Sequence, residues 1–336
     1  MKRSKNIELI EISNKRCKNI KRELCVITKI ESLDDLIKIG ELYSENMTEY
    51  KGINLRILNE LIPVLKELKS IIGLTDAKMQ VVTHILYLIR GLGNEKCGEC
   101  IDCDNNVACV SNITDKFHTV IYGPPGVGKT TFAKILSKIY SAFGTYSDDF
   151  HMVSRSDLIS GYMGRTAKKT QKIIDSCENG VLFIDEAYSL GADSVDTDTY
   201  SKECIDTLNL NLMEKNFICI IAGYKDELEK CFFNKNPGLS RRFRFVYNLN
   251  GYTSEELYQI LLKKIGDINW FVDDTEFLKK FIDKNSYDFE YYGGSIEAYL
   301  THIKIAHSLN LNAPNKHITK DDIINGFESY VKNKNK

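Results

Sequence analysis

Apolar residues in the first third of the chain recur at helical spacing. Leu33, Leu36, Ile37 and Leu42 mark one face, and Ser32 with Asp35 has the spacing of a capping box. Leu58, Leu61, Ile62, Leu65 and Leu68 mark a second helix, with Pro63 inside it as a source of bending. Val81, Val82, Ile85 and Leu88 mark a third, running from Thr75 to about Gly91. Residues 1–30 are charged and weakly patterned. From Phe117 onward the character changes: the short apolar runs FHTVIY, FHMV, VLFID, FICIIAG and FRFVY alternate with helix-length segments. That alternation predicts an α/β fold, a doubly wound parallel sheet with helices on both faces. Beyond Asn250 no further strand is expected. Thr253 and Glu256 are spaced as another capping box, helical patterns continue to the end, and Thr319 opens the last of them. The pattern divides the chain into a helical region over 1–68, an α/β domain over 69–250 and a helical domain over 251–336.

Charge changes this picture little. The 336 residues carry 45 basic and 46 acidic side chains, a net charge of −1, so there is no global attraction to nucleic acid or an anionic membrane. The basic start, MKRSKNIELIEISNK, is not followed by the apolar core of a signal peptide, and the apolar runs are too short to span a bilayer. A soluble, cytoplasmic protein with no membrane partner is expected.

Cysteine adds a feature. Of the 10 cysteines, Cys97, Cys100, Cys103 and Cys109 crowd into KCGECIDCDNNVAC, an insertion over 97–109 before the first strand. Four thiolates at this spacing suit tetrahedral zinc, with structural or partner-binding roles; an iron–sulfur cluster or a reduced, metal-free loop are the alternatives. The six histidines show no ligand spacing.

The chemistry sits in YGPPGVGKTT, residues 122–131, between a strand and a helix. Gly123, Gly128, Lys129 and Thr130 satisfy the phosphate-loop pattern, and Pro124, Pro125, Gly126, Val127 and Thr131 complete the turn. Glycines let backbone N–H groups curl around a phosphate at a helix start. Lys129 would reach the outer phosphates of a nucleoside triphosphate, and the Thr130 hydroxyl would be a ligand for Mg2+. VLFIDEA, residues 181–187, is a buried strand ending in two acids. Asp185 would complete the magnesium shell, and Glu186 would orient and deprotonate the attacking water. Nucleoside triphosphate hydrolysis is the expected activity.

These motifs, in this order, resemble AAA+ ATPases, and more closely the branch of the red-type Rubisco activases and the sporulation stage V protein K group. SIIGLTDAK (70–78), SRSDLISGYMGRTAKKT (154–170), GVLFIDEAYSLG (180–191), IIAGYKDELEKCFF (220–233) and NPGLSRRF (236–243) carry the resemblance. It implies a nucleotide-binding domain over 69–250, a helical lid over 251–336, and a homo-oligomeric ring, usually a hexamer, with ATP at each subunit boundary. Tyr162, Met163 and Gly164 correspond to the pore loop that grips a protein substrate for remodelling or disassembly by threading. Arg242 stands at the position of the finger that reaches a neighbour's γ-phosphate, with Arg241 as an auxiliary contact. Two departures stand out. Tyr224 is the nearest polar group where many relatives place a polar sensor. In GGSIEAY (293–299), Ile296 or Glu297 stands where the lid often carries an arginine. The alternatives to a protein remodeller are a nucleic-acid-directed motor or loader and a nucleotide-gated scaffold with slow hydrolysis.

Overall fold

A computed structural model describes residues 29–92, 116–144, 146–162, 164–191, 199–310 and 315–334. They group into two compact units. One is drawn from the chain up to Ser70, Asp76–Lys116 and Ile135–Asp148, and the other from Ile71–Thr75, Phe117–Lys134 and Asp149–Lys336.

In the first unit, helix α1 (Leu33–Gly40) packs on helix α2 (Leu55–Ser70). Ser32 caps α1, its hydroxyl accepting from the Asp35 amide at 3.2 Å. Leu42 falls beyond the end of α1 and does not extend its apolar face. The crossing is close at Gly40, where a Cβ would lie 3.1 Å from the Leu58 carbonyl. Leu36, Leu58, Leu61, Leu65 and Leu68 are fully buried. A ladder of two-residue strands, Glu49–Tyr50 against Ile53–Asn54, joins the helices. It is too short to leave a period-2 signal, and the helical reading of this region passed over it. Helix α3 (Thr75–Ile89) buries Val81, Val82, Ile85 and Leu88, as its spacing predicts.

The second unit holds the sheet: β1 (Thr119–Tyr122), β2 (Phe150–Val153), β3 (Val181–Ile184), β4 (Ile218–Gly223) and β5 (Phe245–Asn248). All pair in parallel in the order β2-β3-β4-β1-β5. The three inner strands are buried at every position, which is why they read as unbroken apolar runs. Edge strand β5 alternates buried and exposed residues. Helix α4 (Lys129–Ser141) follows β1, α5 (Thr166–Ser176) lies between β2 and β3, and α6 (Thr199–Glu214) between β3 and β4. Leu158, Ile174, Cys204, Leu208, Phe232 and Phe243 close the core over one sheet face. His118 crosslinks the layers: its Nδ1 accepts from the Cys219 amide at 3.0 Å, so Nε2 donates to the Leu212 carbonyl at 2.9 Å.

The C-terminal helices are α7 (Ser254–Asp267), α8 (Thr275–Lys284), α9 (Tyr292–Leu309) and α10 (Lys320–Lys334). Thr253 caps α7 in a reciprocal box with Glu256. Leu257, Leu261, Ile282, Ile296, Tyr299 and Ile323 form a core separate from that of the sheet. Strands do not stop at Asn250. Phe271–Val272 pairs in parallel with His317–Ile318, again over a length too short to pattern the sequence.

Candidate functional site

The β1–α4 turn builds the phosphate-binding loop. Gly126 and Gly128 have φ of +75° and +93°, left-handed conformations that glycine adopts at no steric cost. Gly123 is held for space instead, because a Cβ there would meet the Leu249 carbonyl at 2.8 Å. Pro124, Pro125 and Val127 shape the turn between them, and Thr130 and Thr131 lie in the first turn of α4. Lys129 folds back, donating from Nζ to the carbonyls of Gly123 and Pro124 at 3.0 and 2.9 Å. Burial holds its ammonium below the ordinary lysine range, partly offset by the carboxylates of Asp185 and Glu186.

Strand β3 delivers those carboxylates. The Thr130 hydroxyl donates to Asp185 Oδ2 at 3.2 Å, bringing together the hydroxyl and the carboxylate that suit a hard divalent cation. Asp185 Oδ1 accepts the Glu186 amide at 3.0 Å. Glu186 itself is exposed and has φ +49°, a left-handed backbone conformation. For a non-glycine residue that conformation is uncommon, and such strain gathers at functional sites. Tyr224, after β4, stands with its ring 5.6 Å from Lys129 Nζ. Tyr188 is beside it, its hydroxyl pushed up to about 12 by burial and by the charge of Glu186.

Two cavities meet at these acids. One, of about 590 Å³, runs from the phosphate loop, with Lys129, Thr130, Asp185 and Glu186, to an apolar wall of Ile71, Ile72, Leu74 and Ile260. Its C-terminal side is formed by Tyr252, Lys263, Lys264, Asp267, Gly293, Gly294 and Glu297. The charge-lined, glycine-floored end and the apolar end fit the tail and base of a nucleotide. Ile296, by contrast, points away into the helical core. Among these residues, Ile260, Lys263 and Lys264 had no motif to announce them, because α7 reads simply as an amphipathic helix, and Tyr252, just before it, had none either.

The C-terminal helices rest directly on the phosphate loop. The Gly293 amide donates to the Gly126 carbonyl at 3.1 Å, and the Tyr252 hydroxyl to the Val127 carbonyl at 2.8 Å. A Cβ on Gly126 would fall 1.9 Å from the Tyr291 carbonyl, so no side chain fits at that contact.

The second cavity, of about 530 Å³, shares Asp185 and Glu186 with the first and continues to Ser154, Arg155, Ser160, Gly161 and Ser189. Arg155 donates to the Ser189 carbonyl and, at 3.1 Å, to the Ser201 hydroxyl. Tyr162 follows on the same loop, 70% exposed, with the Arg165 guanidinium 5.2 Å from its ring. Gly164 has φ +69° and open space where a Cβ would be. Met163 lies outside the described residues, as do Cys97, Cys100, Cys103 and Cys109.

Arg241 and Arg242 lie apart from both cavity linings. They follow the short helix Pro237–Ser240, whose start Asn236 caps through the Gly238 amide at 3.0 Å. Arg241 is exposed. Arg242 is half-buried and bends back on its own turn, Nη1 donating to the Gly238 carbonyl at 2.6 Å, while its Nε is buried without a hydrogen-bond partner. A four-residue helix leaves its carbonyls unsatisfied, and this side chain meets one of them.

A parallel sheet in this order, with a phosphate loop after β1, paired acids after β3, its neighbour but one, and a helical domain resting on the loop, defines a P-loop ATPase of the AAA+ class. Residues 119–236 match the ATPase family associated with various cellular activities. The chain is 36% identical over 313 residues to a cfxQ-like protein of Acanthamoeba polyphaga mimivirus, covering 90% of this chain and 73% of that one. It is 38% identical over 170 residues to the chloroplastic ribulose bisphosphate carboxylase/oxygenase activase of Cyanidioschyzon merolae, 49% of this chain and 54% of that protein. A solved structure of a RuvB mutant from Thermotoga maritima shares the fold at a TM-score of 0.50 and 18% identity, over 78% of this chain and 72% of that one. The chain belongs to the AAA+ ATPases, in the branch of CfxQ and the red-type Rubisco activases. It hydrolyses ATP with Mg2+. Among the described residues no helix is long and apolar enough to cross a membrane.

Proposed function

We propose that this ATPase remodels or disassembles a protein substrate, gripping it with Tyr162 in the central pore of a homo-oligomeric ring, a hexamer by resemblance. ATP occupies the cavity between the phosphate loop and a lid formed by residues 251–336. Lys129 and the loop amides hold the phosphates, Thr130 and Asp185 hold magnesium, and Glu186 takes the proton of the attacking water. Magnesium, when bound, draws charge from the phosphates. Arg242 of one subunit completes the site of the next.

One observation carries the reading. The loop bearing Tyr162 starts at Ser160 and Gly161, which line the same cavity as Asp185 and Glu186. A change of charge at the acids therefore has a short route to an exposed aromatic side chain that suits an extended polypeptide. The names of the relatives support a protein target, and the near-zero net charge favours it over nucleic acid.

The test is Tyr162→Ala. Basal ATP hydrolysis is expected to stay within about twofold of the parent, and release or unfolding of a protein substrate to be lost. Normal remodelling by the variant would remove the pore-loop role.

A further inference from the structure

Glu297 is an odd neighbour for a triphosphate. It lies three residues past Gly294, on the wall of the cavity that contains the phosphate loop, and its side chain is 71% exposed. In related lids an arginine often follows this glycine turn; here Ile296 or Glu297 stands there, and neither is a cation. A carboxylate facing the tail of ATP repels it unless a cation intervenes.

The structure supplies that cation from another helix. Lys264, on α7, extends its ammonium to 3.1 Å from Glu297 Oε2. One turn earlier on the same face, Ile260 belongs to the apolar wall formed with Ile71, Ile72 and Leu74. Helix α7 thus presents one cavity with an apolar surface followed by a positive charge, the order in which a nucleotide presents base and phosphates. At 34% and 71% side-chain exposure, the Lys264–Glu297 pair is open to water and weakly held. A triphosphate carries far more charge than one carboxylate and can take the ammonium from it.

We propose that Lys264 is the lid cation of this enzyme. It leaves Glu297 for the phosphate tail when ATP binds, so α7 provides the charge that relatives carry on α9. Glu297 serves as its resting partner and holds the side chain extended into the cavity. Lys264 is a binding residue with a positioning role in lid closure. The inference rests on reading this cavity as the ATP site.

The experiment is equilibrium binding of ATP, ADP and adenosine to the full chain and to Lys264→Ala, Glu297→Gln and the double variant, with Lys129→Ala alongside. Loss of one charge-assisted contact predicts roughly 10- to 100-fold weaker ATP binding by Lys264→Ala, a smaller effect on ADP and none on adenosine. Glu297→Gln is expected to bind ATP as tightly as the parent or tighter. The double variant separates contact from mere masking of Glu297. If Lys264 touches phosphate, the double variant stays roughly tenfold or more weaker than Glu297→Gln, whatever it regains over Lys264→Ala. Restored ATP affinity in the double variant overturns the proposal, because the lysine then only neutralises the carboxylate. An equal loss for adenosine also overturns it, placing the fault in the fold or the base site. If Lys263→Ala gives the phosphate-dependent loss and Lys264→Ala does not, the cation has been assigned to the wrong residue. Unchanged ATP binding by Lys129→Ala would instead overturn the ATP-site reading itself.

Discussion

Lys129 already donates to two carbonyls of its own loop, so a nucleotide must draw its ammonium away from them. In the proposed site its contact with phosphate would therefore be worth less than an isolated lysine–phosphate pair. Lys129→Ala is expected to weaken ATP binding at least about tenfold, measured by fluorescent-nucleotide titration. Glu186 does different work. Asp185 Oδ2 is engaged by Thr130, whereas the Glu186 side chain is exposed. Glu186→Gln is expected to bind ATP with parent affinity and hydrolyse it roughly 10²–10⁴-fold more slowly in a phosphate-release assay. Parent turnover by that variant would remove the general-base role. The two motifs that hold them were legible in the sequence, because each fixes residue types within its own short segment, and the fold brings both to one cavity. Lys264, Tyr252 and Ile260 were not. They line the cavity because of how α7 and the residue before its cap are docked, and nothing local distinguishes them in the sequence.

Among the elements, the start of α10 ties the C-terminal helices together. Asp322 is buried; it accepts the Thr319 amide at 2.9 Å and meets His307 Nδ1 of α9 at 2.9 Å. Burial works to raise its pKa, but the hydrogen bonds from Thr319 and His307 prevail and hold it below the ordinary aspartate value. A carboxyl depressed in the folded state stabilises above its unfolded pKa, and that contribution is lost as pH falls through the folded one. Asp322→Asn should therefore lower stability at pH 7 by about 1–2 kcal/mol, read from thermal unfolding. The gap from the parent should begin to narrow below about pH 4 and go on narrowing as the pH falls further. A gap that stays constant to pH 3 would mean that shape, and not charge, holds the junction. The sequence announced Thr319 as a helix start, and the five long strands by their apolar runs. It could not announce the two-residue pairs, which bury too few side chains to impose a period, nor the pairing of Asp322 with His307, 15 positions away.

At the scale of the whole molecule, the arginine pair bears on assembly. Arg242 satisfies a carbonyl of its own turn and leaves Nε without a partner, so reaching a neighbour would require it to rotate away from Gly238. Arg242→Ala subunits are expected to bind ATP normally and to hydrolyse it slowly, since a finger of this kind is worth roughly 10³–10⁵ in rate. Mixed with Lys129→Ala subunits, they should recover activity, because intact phosphate loops then face intact arginines. Co-assembled mixtures as inactive as both parents would confine Arg242 to its own subunit. The seating of Tyr291–Gly293 on Gly126 carries a mechanical consequence. Helix α9 leaves that contact and runs for 18 residues, about 27 Å at 1.5 Å per residue. The phosphate loop is then the fulcrum of a lever: a tilt of about 10° at Gly126 moves the distal end of α9 by about 5 Å. With no side chain to cushion the pivot, the fulcrum is backbone against backbone, and a small adjustment at Gly126 would be amplified at the distal end of α9.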